Sequence, residues 1–159
     1  MHRSVVSLAE YIDRLRQWLL SRNLAEDKAL GARGEDLAHR FLQRRGYTVV
    51  ARNYRPPNGH REVDLIARQG RTLVIVEVKT RQRQEFLPVE RAVDKEKQHN
   101  LVRAAMSYSR RAHIPWDFVR FDIVTVVLEP KPVLRHTPDA FHPDRRQRAR
   151  PLYAVEVED

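Results

Sequence analysis

Apolar residues near the N-terminus recur every three or four positions, the spacing that places side chains on one face of an α-helix. Leu8, Ile12, Leu15 and Leu19 form this stripe and predict an amphipathic helix. Its apolar face is expected to be buried against another surface. Packing on the rest of the domain is a simpler expectation than packing on a partner. Residues 23–28 are mostly polar, and we interpret them as a linker to the next element.

A second helical stripe predicts a helix over about residues 25–45, with Glu35 at the edge of its apolar face. Gly46 is expected to end this helix, because glycine adopts the left-handed conformation that terminates helices without strain. Residues 47–53 are rich in β-branched and aromatic side chains, which predicts the first strand.

The next two apolar runs, over residues 62–66 and 72–80, predict buried strands that nevertheless carry charged side chains. Asp64 lies in the first run, and Glu77 and Lys79 lie in the second. Since side chains alternate along a strand, Glu77 and Lys79 share one face. A carboxylate removed from water without a partner costs several kcal/mol, so these positions predict a cation or a phosphate nearby.

The turn between these two strands sets the relation of their carboxylates. If Arg68 pairs with Leu73, Asp64 lies directly opposite Glu77. A tighter two-residue turn moves Asp64 one diagonal away on the same face. Pairing of Asp64 with Val76 would put the two carboxylates on opposite faces of the sheet.

The second half of the chain predicts one more helix and two more strands. The helix is expected over about residues 88–111, a long strand over 118–128 and a short one over 133–135. The long strand is apolar on both faces, which favours an internal position. Arg120 and Asp122 within it are interpreted as a buried structural ion pair. Together the elements predict an α/β fold, a mixed sheet of about four or five strands flanked by helices.

Composition limits the class of protein and of partner. The 159 residues suit one domain, and 30 Lys and Arg against 21 Asp and Glu give a net charge of +9. This excess predicts a nucleic acid partner. The absence of cysteine excludes disulfides and thiolate metal sites, and the seven histidines lack zinc spacing. Without an apolar run of about 20 residues, we expect no membrane partner and a cytoplasmic location.

Motifs at characteristic spacing run from about residue 31 to residue 141. They are Gly34-Glu35-x-x-Ala38, Phe41-Leu42-x-x-x-Gly46-Tyr47, Glu62-Val63-Asp64-Leu65-Ile66-Ala67, Val76-Glu77-Val78-Lys79-Thr80-Arg81, Lys97, Arg120-Phe121-Asp122 and Asp139-Ala140-Phe141. Their order resembles the PD-(D/E)xK nuclease superfamily, and the motifs themselves resemble the YraN-like family of bacterial predicted endonucleases. On this resemblance, residues 25–141 form a nuclease-like domain. Residues 1–24 lie outside it, as does an Arg-rich and then acidic tail over 142–159 that is expected to be flexible.

The resemblance implies a restriction-endonuclease-like three-layer core related to archaeal Holliday-junction resolvases. It implies a metal-dependent endonuclease that cuts DNA, including branched DNA. Asp64, Glu77 and the carbonyl of Val78 would bind Mg²⁺, with Mn²⁺ as a substitute. Lys79 would orient the attacking water or neutralise phosphate charge, and Glu35 would hold a second ion or a metal-bound water.

Several alternatives stay open at this level. Glu62 and Asp64 share a face, so spacing does not decide which one meets the metal; the resemblance selects Asp64. A nucleic-acid-binding module without turnover and a protein-interaction scaffold built on the N-terminal helix are competing functions. The choices between DNA and RNA, one and two ions, and monomer and homodimer are also open. The residues expected to contact nucleic acid are Arg81, Arg83, Lys97, Arg52 and Arg55.

Overall fold

The computed structural model describes residues 8–57, 59, 62–83 and 93–143, with side chains described from residue 12 onward. It contains a mixed five-stranded sheet with helices, which confirms the predicted α/β fold class. The elements are α1 (Leu8–Arg44), β1 (Thr48–Tyr54), β2 (Val63–Gln69), β3 (Thr72–Arg81), α2 (Lys95–Arg111), a 3₁₀ turn (Trp116–Phe118), β4 (Val119–Val127) and β5 (Val133–Thr137).

The strands lie in the sheet in their chain order. β1, β2 and β3 form an antiparallel meander, β3 pairs with β4 in parallel, and β5 returns antiparallel to β4. A parallel pair needs a crossover connection, and α2 lies within it. The predicted internal position of the long strand is confirmed, because β4 lies between β3 and β5.

Each face of the sheet has its own apolar core. Alternation along β2, β3 and β4 divides their apolar side chains between the two faces. The α1 side includes Ala38, Leu42, Leu65, Ala67, Val74, Val76 and Val124. The α2 side includes Ile66, Leu73, Ile75, Phe121, Ile123, Leu101 and Ala105. The sheet therefore lies between two helical layers.

The first helix differs from the prediction. α1 is one helix of 37 residues, so the linker expected at residues 23–28 is wrong, and the domain boundary placed at residue 24 falls within a helix. These residues include neither glycine nor proline, and Arg22 pairs with Glu26 at 3.0 Å, four residues on, which supports helix. Residues 12–29 are all exposed, so the expected docking of this stripe on the domain is also wrong for these residues.

The start of the second helix also differs from the prediction. Asp94 is the N-cap and accepts a hydrogen bond from the Lys97 backbone N–H at 2.8 Å, so α2 begins at Lys95 and not near residue 88. Residues 84–92 and the predicted tail from residue 144 onward lie outside the described residues. Neither helix of the described part of the chain combines the length and apolarity needed to cross a membrane.

The predicted ion pair within β4 is confirmed. The Arg120 guanidinium contacts both carboxylate oxygens of Asp122 at 2.8 Å, and His136 Nε2 lies 2.8 Å from the same carboxylate. The Asp139 backbone N–H adds a hydrogen bond at 3.0 Å. Burial opposes ionisation of Asp122, but the hydrogen bonds from His136 and Arg120 outweigh it and lower its pKa. This network joins β4, β5 and the following turn.

Candidate metal and phosphate site

The register of β2 against β3 places two carboxylates opposite each other. Arg68 pairs with Leu73 and Leu65 with Val76, so the next pair along the ladder is Asp64 with Glu77. This is the first of the predicted registers, and it is confirmed. Both carboxylates lie on the face of the sheet that packs against α2.

Glu77 is a buried carboxylate held between two lysines. Its side chain is 3% exposed, and Lys79 Nζ lies 2.9 Å from its Oε1. Lys97 Nζ lies 2.9 Å from Oε2, yet that oxygen has no hydrogen bond of good geometry. The two ammonium groups offset much of the cost of burying the charge. The contact from Lys97 is electrostatic and leaves the hydrogen-bonding capacity of Oε2 unused.

Asp64 is clamped by the strand opposite it. The Val78 backbone N–H donates a hydrogen bond to Asp64 Oδ2 at 2.7 Å. Burial and then repulsion from Glu77 raise the pKa of Asp64 to about 7, although this hydrogen bond and the charge of Lys97 lower it in part. Ionising both carboxylates near neutral pH is therefore unfavourable unless a further positive charge is present.

Glu35 approaches this pair from α1. A β-carbon at Gly34 would overlap the Thr80 side chain, so only glycine lets the helix pass this close to the end of β3. Glu35 then lies close enough to Asp64 for its charge to raise the pKa of Asp64. Burial raises the pKa of Glu35 itself, against the lowering effect of the Arg52 charge.

Glu62 has a different environment from Asp64. Arg55 Nη2 lies 2.8 Å from Glu62 Oε2, and the Glu62 carbonyl oxygen is 3.5 Å from Lys97 Nζ. Glu62 directly precedes β2, whereas Asp64 lies within β2 across from Glu77. Of the two acidic residues that sequence spacing left open, Asp64 is therefore the one that adjoins Glu77.

The donor set fits a hard cation held by two carboxylates. No group of three or more His, Asp or Glu side chains in the described part of the chain is positioned to hold a metal ion. Glu35 therefore does not join Asp64 and Glu77 as a third carboxylate ligand, and its contact through a water stays a prediction. Mg²⁺ commonly uses one or two carboxylates and keeps several waters, which suits the pair and the unused capacity of Glu77 Oε2.

Comparison with known sequences decides the family. The model of the uncharacterised protein family UPF0102 matches residues 34–126, a range that includes Glu35, Asp64, Glu77 and Lys97. The chain belongs to the UPF0102 family. This is the YraN-like family that the sequence motifs resemble, so the predicted family is confirmed.

Relatives in the UPF0102 family match along most of their length. A UPF0102 protein of Solibacter usitatus is 49% identical over 129 residues, covering 81% of this chain and 93% of the relative. A UPF0102 protein of Koribacter versatilis is 45% identical over 114 residues, covering 70% of this chain and 78% of the relative. A UPF0102 protein of Rhodococcus opacus is 42% identical over 120 residues, covering 74% of this chain and 100% of the relative.

The basic residues expected to contact nucleic acid have different surroundings in this UPF0102 protein. Lys97 directly contacts the carboxylate cluster, whereas Arg81 and Arg83 line an open depression beyond the end of β3. Three arginines form ion pairs with at least partly exposed side chains, and such pairs contribute little stability and exchange readily. They are Arg52 with Asp36 at 2.6 Å, Arg55 with Glu62 at 2.8 Å and Arg83 with Glu129 at 3.5 Å.

Sequence reasoning missed two features of the site. With its amide nitrogen turned toward the carboxylates, Asn53 donates to Glu35 Oε2 at 3.0 Å and to Glu62 Oε1 at 3.3 Å. Asn53 has a φ of 50°, a left-handed conformation in which asparagine is enriched, and that enrichment is the only local signal for its position. The contact of Lys97 with Glu77 was missed too, because it joins elements 20 positions apart along the chain.

Proposed function

We propose that this protein is a metal-dependent endonuclease that hydrolyses phosphodiester bonds in DNA. The observation that carries the proposal is the opposition of Asp64 and Glu77 on a buried sheet face, with Lys79 in contact with Glu77. A purely structural ion-pair cluster would not need a second carboxylate at Asp64, where burial and then repulsion from Glu77 raise its pKa to about 7. Perturbation of this kind is typical of functional sites.

Asp64, Glu77 and the carbonyl of Val78 would hold Mg²⁺, and Mn²⁺ would be its substitute. When bound, the ion would supply charge neutralisation at the phosphate and a water of lowered pKa. The Val78 N–H fixes the orientation of the Asp64 carboxylate, which prepares it as a ligand. Lys79 is one-third exposed, so its ammonium can reach a substrate phosphate while it stays beside Glu77.

The substrate class rests on charge and on the family resemblance. A net charge of +9 favours a polyanion, and the arginines in exchangeable ion pairs could bind backbone phosphates. DNA, and branched DNA within it, is the substrate that the resemblance favours. A cytoplasmic location belongs to the same proposal. So does a homodimer, because cutting two strands symmetrically requires two sites.

A second candidate is a nucleic-acid-binding module without turnover. The observation in its favour is that both oxygens of Glu77 already face ammonium groups, from Lys79 and Lys97, so the charge of Glu77 is compensated without a metal. The exposed helix over residues 12–29 is the observation that favours an interaction scaffold. Neither candidate predicts Mg²⁺-dependent cleavage of DNA.

Incubation of supercoiled plasmid and of a four-way DNA junction with Mg²⁺ or with EDTA tests the proposal. We expect cleavage only with Mg²⁺, and its loss in Asp64→Asn and Lys79→Met. Asp117→Asn and Lys131→Met remove the same charges from exposed positions and should leave cleavage unchanged. Absence of Mg²⁺-dependent cleavage by the folded protein, or equal cleavage by the site variants, would reject the enzyme.

A further inference from the structure

Both carboxylate oxygens of Glu77 are covered by ammonium groups from different elements. Lys79 reaches Oε1 from β3 itself, and Lys97 reaches Oε2 from the first turn of α2, each at 2.9 Å. Glu77 is only 3% exposed, and its Oε2, which has no hydrogen bond, lies against the Lys97 ammonium. A cation that binds this oxygen is therefore repelled by Lys97 as long as that ammonium stays in place.

Lys97 is the lysine that is easier to displace. The backbone of Lys79 is held within β3, where it pairs with Thr125 of β4. Lys97 lies three residues after the N-cap Asp94, where the helix dipole disfavours positive charge. Its other contact, the Glu62 carbonyl at 3.5 Å, is at the limit of a hydrogen bond, and Oε2 of Glu77 receives no well-aligned hydrogen bond from it. Exposure does not decide between the two lysines in favour of Lys97, since its side chain is 21% exposed and that of Lys79 is 33% exposed. The helix dipole and the poorly aligned contact with Oε2 are the reasons for choosing Lys97.

The charges of the site determine where the displaced lysine goes. When both carboxylates are ionised, their two negative charges equal the two positive charges of the ammonium groups. A divalent cation adds two positive charges, and a DNA phosphodiester compensates one of them. We propose that Lys97 is an exchangeable counter-ion, which neutralises Glu77 in the free protein and transfers to a DNA phosphate when a divalent cation binds Asp64 and Glu77.

This inference rests on the proposed function, because it takes Asp64 and Glu77 as the metal ligands. Its consequence is that metal and DNA bind cooperatively. The metal alone has to compete with Lys97 for Glu77, whereas DNA gives Lys97 another anion to contact. By linkage, the factor by which DNA tightens metal binding equals the factor by which the metal tightens DNA binding.

Mn²⁺ binding to the purified full chain tests this exchange, measured from the paramagnetic resonance signal of free Mn²⁺. The titration is run with and without a phosphorothioate four-way DNA junction that resists cleavage, and Mn²⁺ bound by the DNA alone is subtracted. The variants are Lys97→Gln, Lys97→Met and the charge-retaining Lys97→Arg. Lys95→Gln is the matched control, because it removes the same charge from an exposed position in the same helical turn. Circular dichroism checks that each variant is folded.

We expect Lys97→Gln and Lys97→Met to bind Mn²⁺ about tenfold more tightly than the parent without DNA, since a competing unit charge has been removed. DNA should tighten Mn²⁺ binding by at least about fivefold in the parent and in Lys95→Gln, and by less in the two neutral variants. Lys97→Arg should resemble the parent.

Unchanged or weaker Mn²⁺ binding in both neutral variants would overturn the inference, because Lys97 would then only stabilise Glu77. Absence of Mn²⁺ binding in every protein would overturn the inference together with the metal site. Tighter Mn²⁺ binding in the neutral variants, combined with absence of Mg²⁺-dependent cleavage by the parent, would support the exchange and reject the nuclease. The failure of the inference and the failure of the proposed function are therefore distinguishable.

Discussion

Asp64 lies opposite Glu77 in the β2–β3 ladder, and the backbone of the residue after Glu77 donates a hydrogen bond to the Asp64 carboxylate. The same strand pair thus brings two like charges together and fixes one of them. This arrangement costs folding free energy when both groups are ionised. A pair that is costly in this way supports the proposed cation site.

Asp64→Asn is expected to stabilise the protein at pH 8. Burial and Glu77 raise the pKa of Asp64 from 3.8 to about 7, so the folded state retains a proton that the unfolded chain releases. The penalty is absent below pH 4, grows between pH 4 and 7 and is complete above that range. We expect a gain of up to about 4 kcal/mol at pH 8 and none at pH 4, measured by urea unfolding. A gain independent of pH, or a loss at pH 8, would contradict this origin of the shift.

Gly34→Ala is expected to destabilise the protein by about 1–3 kcal/mol, because the added β-carbon would overlap the Thr80 side chain and push α1 away from β3. Gly31→Ala is the matched control on the same helix, since a β-carbon there meets nothing within 4 Å. That control should raise stability by up to about 1 kcal/mol through helix propensity alone. Thermal unfolding compares the stabilities of the two variants. Equal changes in stability would show that α1 does not pack closely against Thr80.

Asp122→Asn is expected to cost about 3–5 kcal/mol, because it leaves Arg120 and His136 without the carboxylate they contact. The pKa of Asp122 is lowered in the folded state, so its contribution is present above pH 4 and is lost as the pH falls below that value. Urea unfolding at pH 7 and at pH 3 measures this, with the exposed Asp117→Asn as control. A cost that is the same at both pH values would argue against an ionic role for Asp122.

Deletion of residues 1–24 is expected to leave the free energy of unfolding of the remaining chain within about 0.5 kcal/mol of its original value. The reason is that the described side chains removed, such as Trp18 and Leu20, are 54% and 63% exposed. Urea unfolding measures the stability, and light scattering measures the mass. A large loss of stability would mean that this segment packs on the domain. A smaller number of subunits per particle would support the interaction scaffold, and an unchanged number would count against it.

Strand register was the part of the site that sequence could predict best. Gly70 marks a tight turn that leaves few pairings for Arg68, and the alternation of Val74, Val76 and Val78 fixes the face that Glu77 must take. The Arg120–Asp122 pair was predictable for a similar reason, since charges inside an apolar strand have to be satisfied near each other.

Contacts between distant elements were not predictable in the same way. The position of Lys97 depends on where α2 begins, and the N-cap at Asp94 was not recognised. The continuity of α1 was missed because the mostly polar segment 23–28 resembles a linker, yet a solvent-exposed helix is mostly polar as well. Asn53 joins Glu35 to Glu62 only because α1 crosses the sheet at that point.

Crystals soaked in Mn²⁺ test most directly whether Asp64 and Glu77 form a metal site. Mn²⁺ scatters anomalously, so its position is visible apart from water. We predict an anomalous peak within about 2.3 Å of one carboxylate oxygen of each residue, with Lys97 Nζ moved away from Glu77. The peak should be absent in Asp64→Asn crystals soaked in the same way. Saturating Mn²⁺ that gives no peak between these two residues, or that binds only elsewhere, would contradict the account.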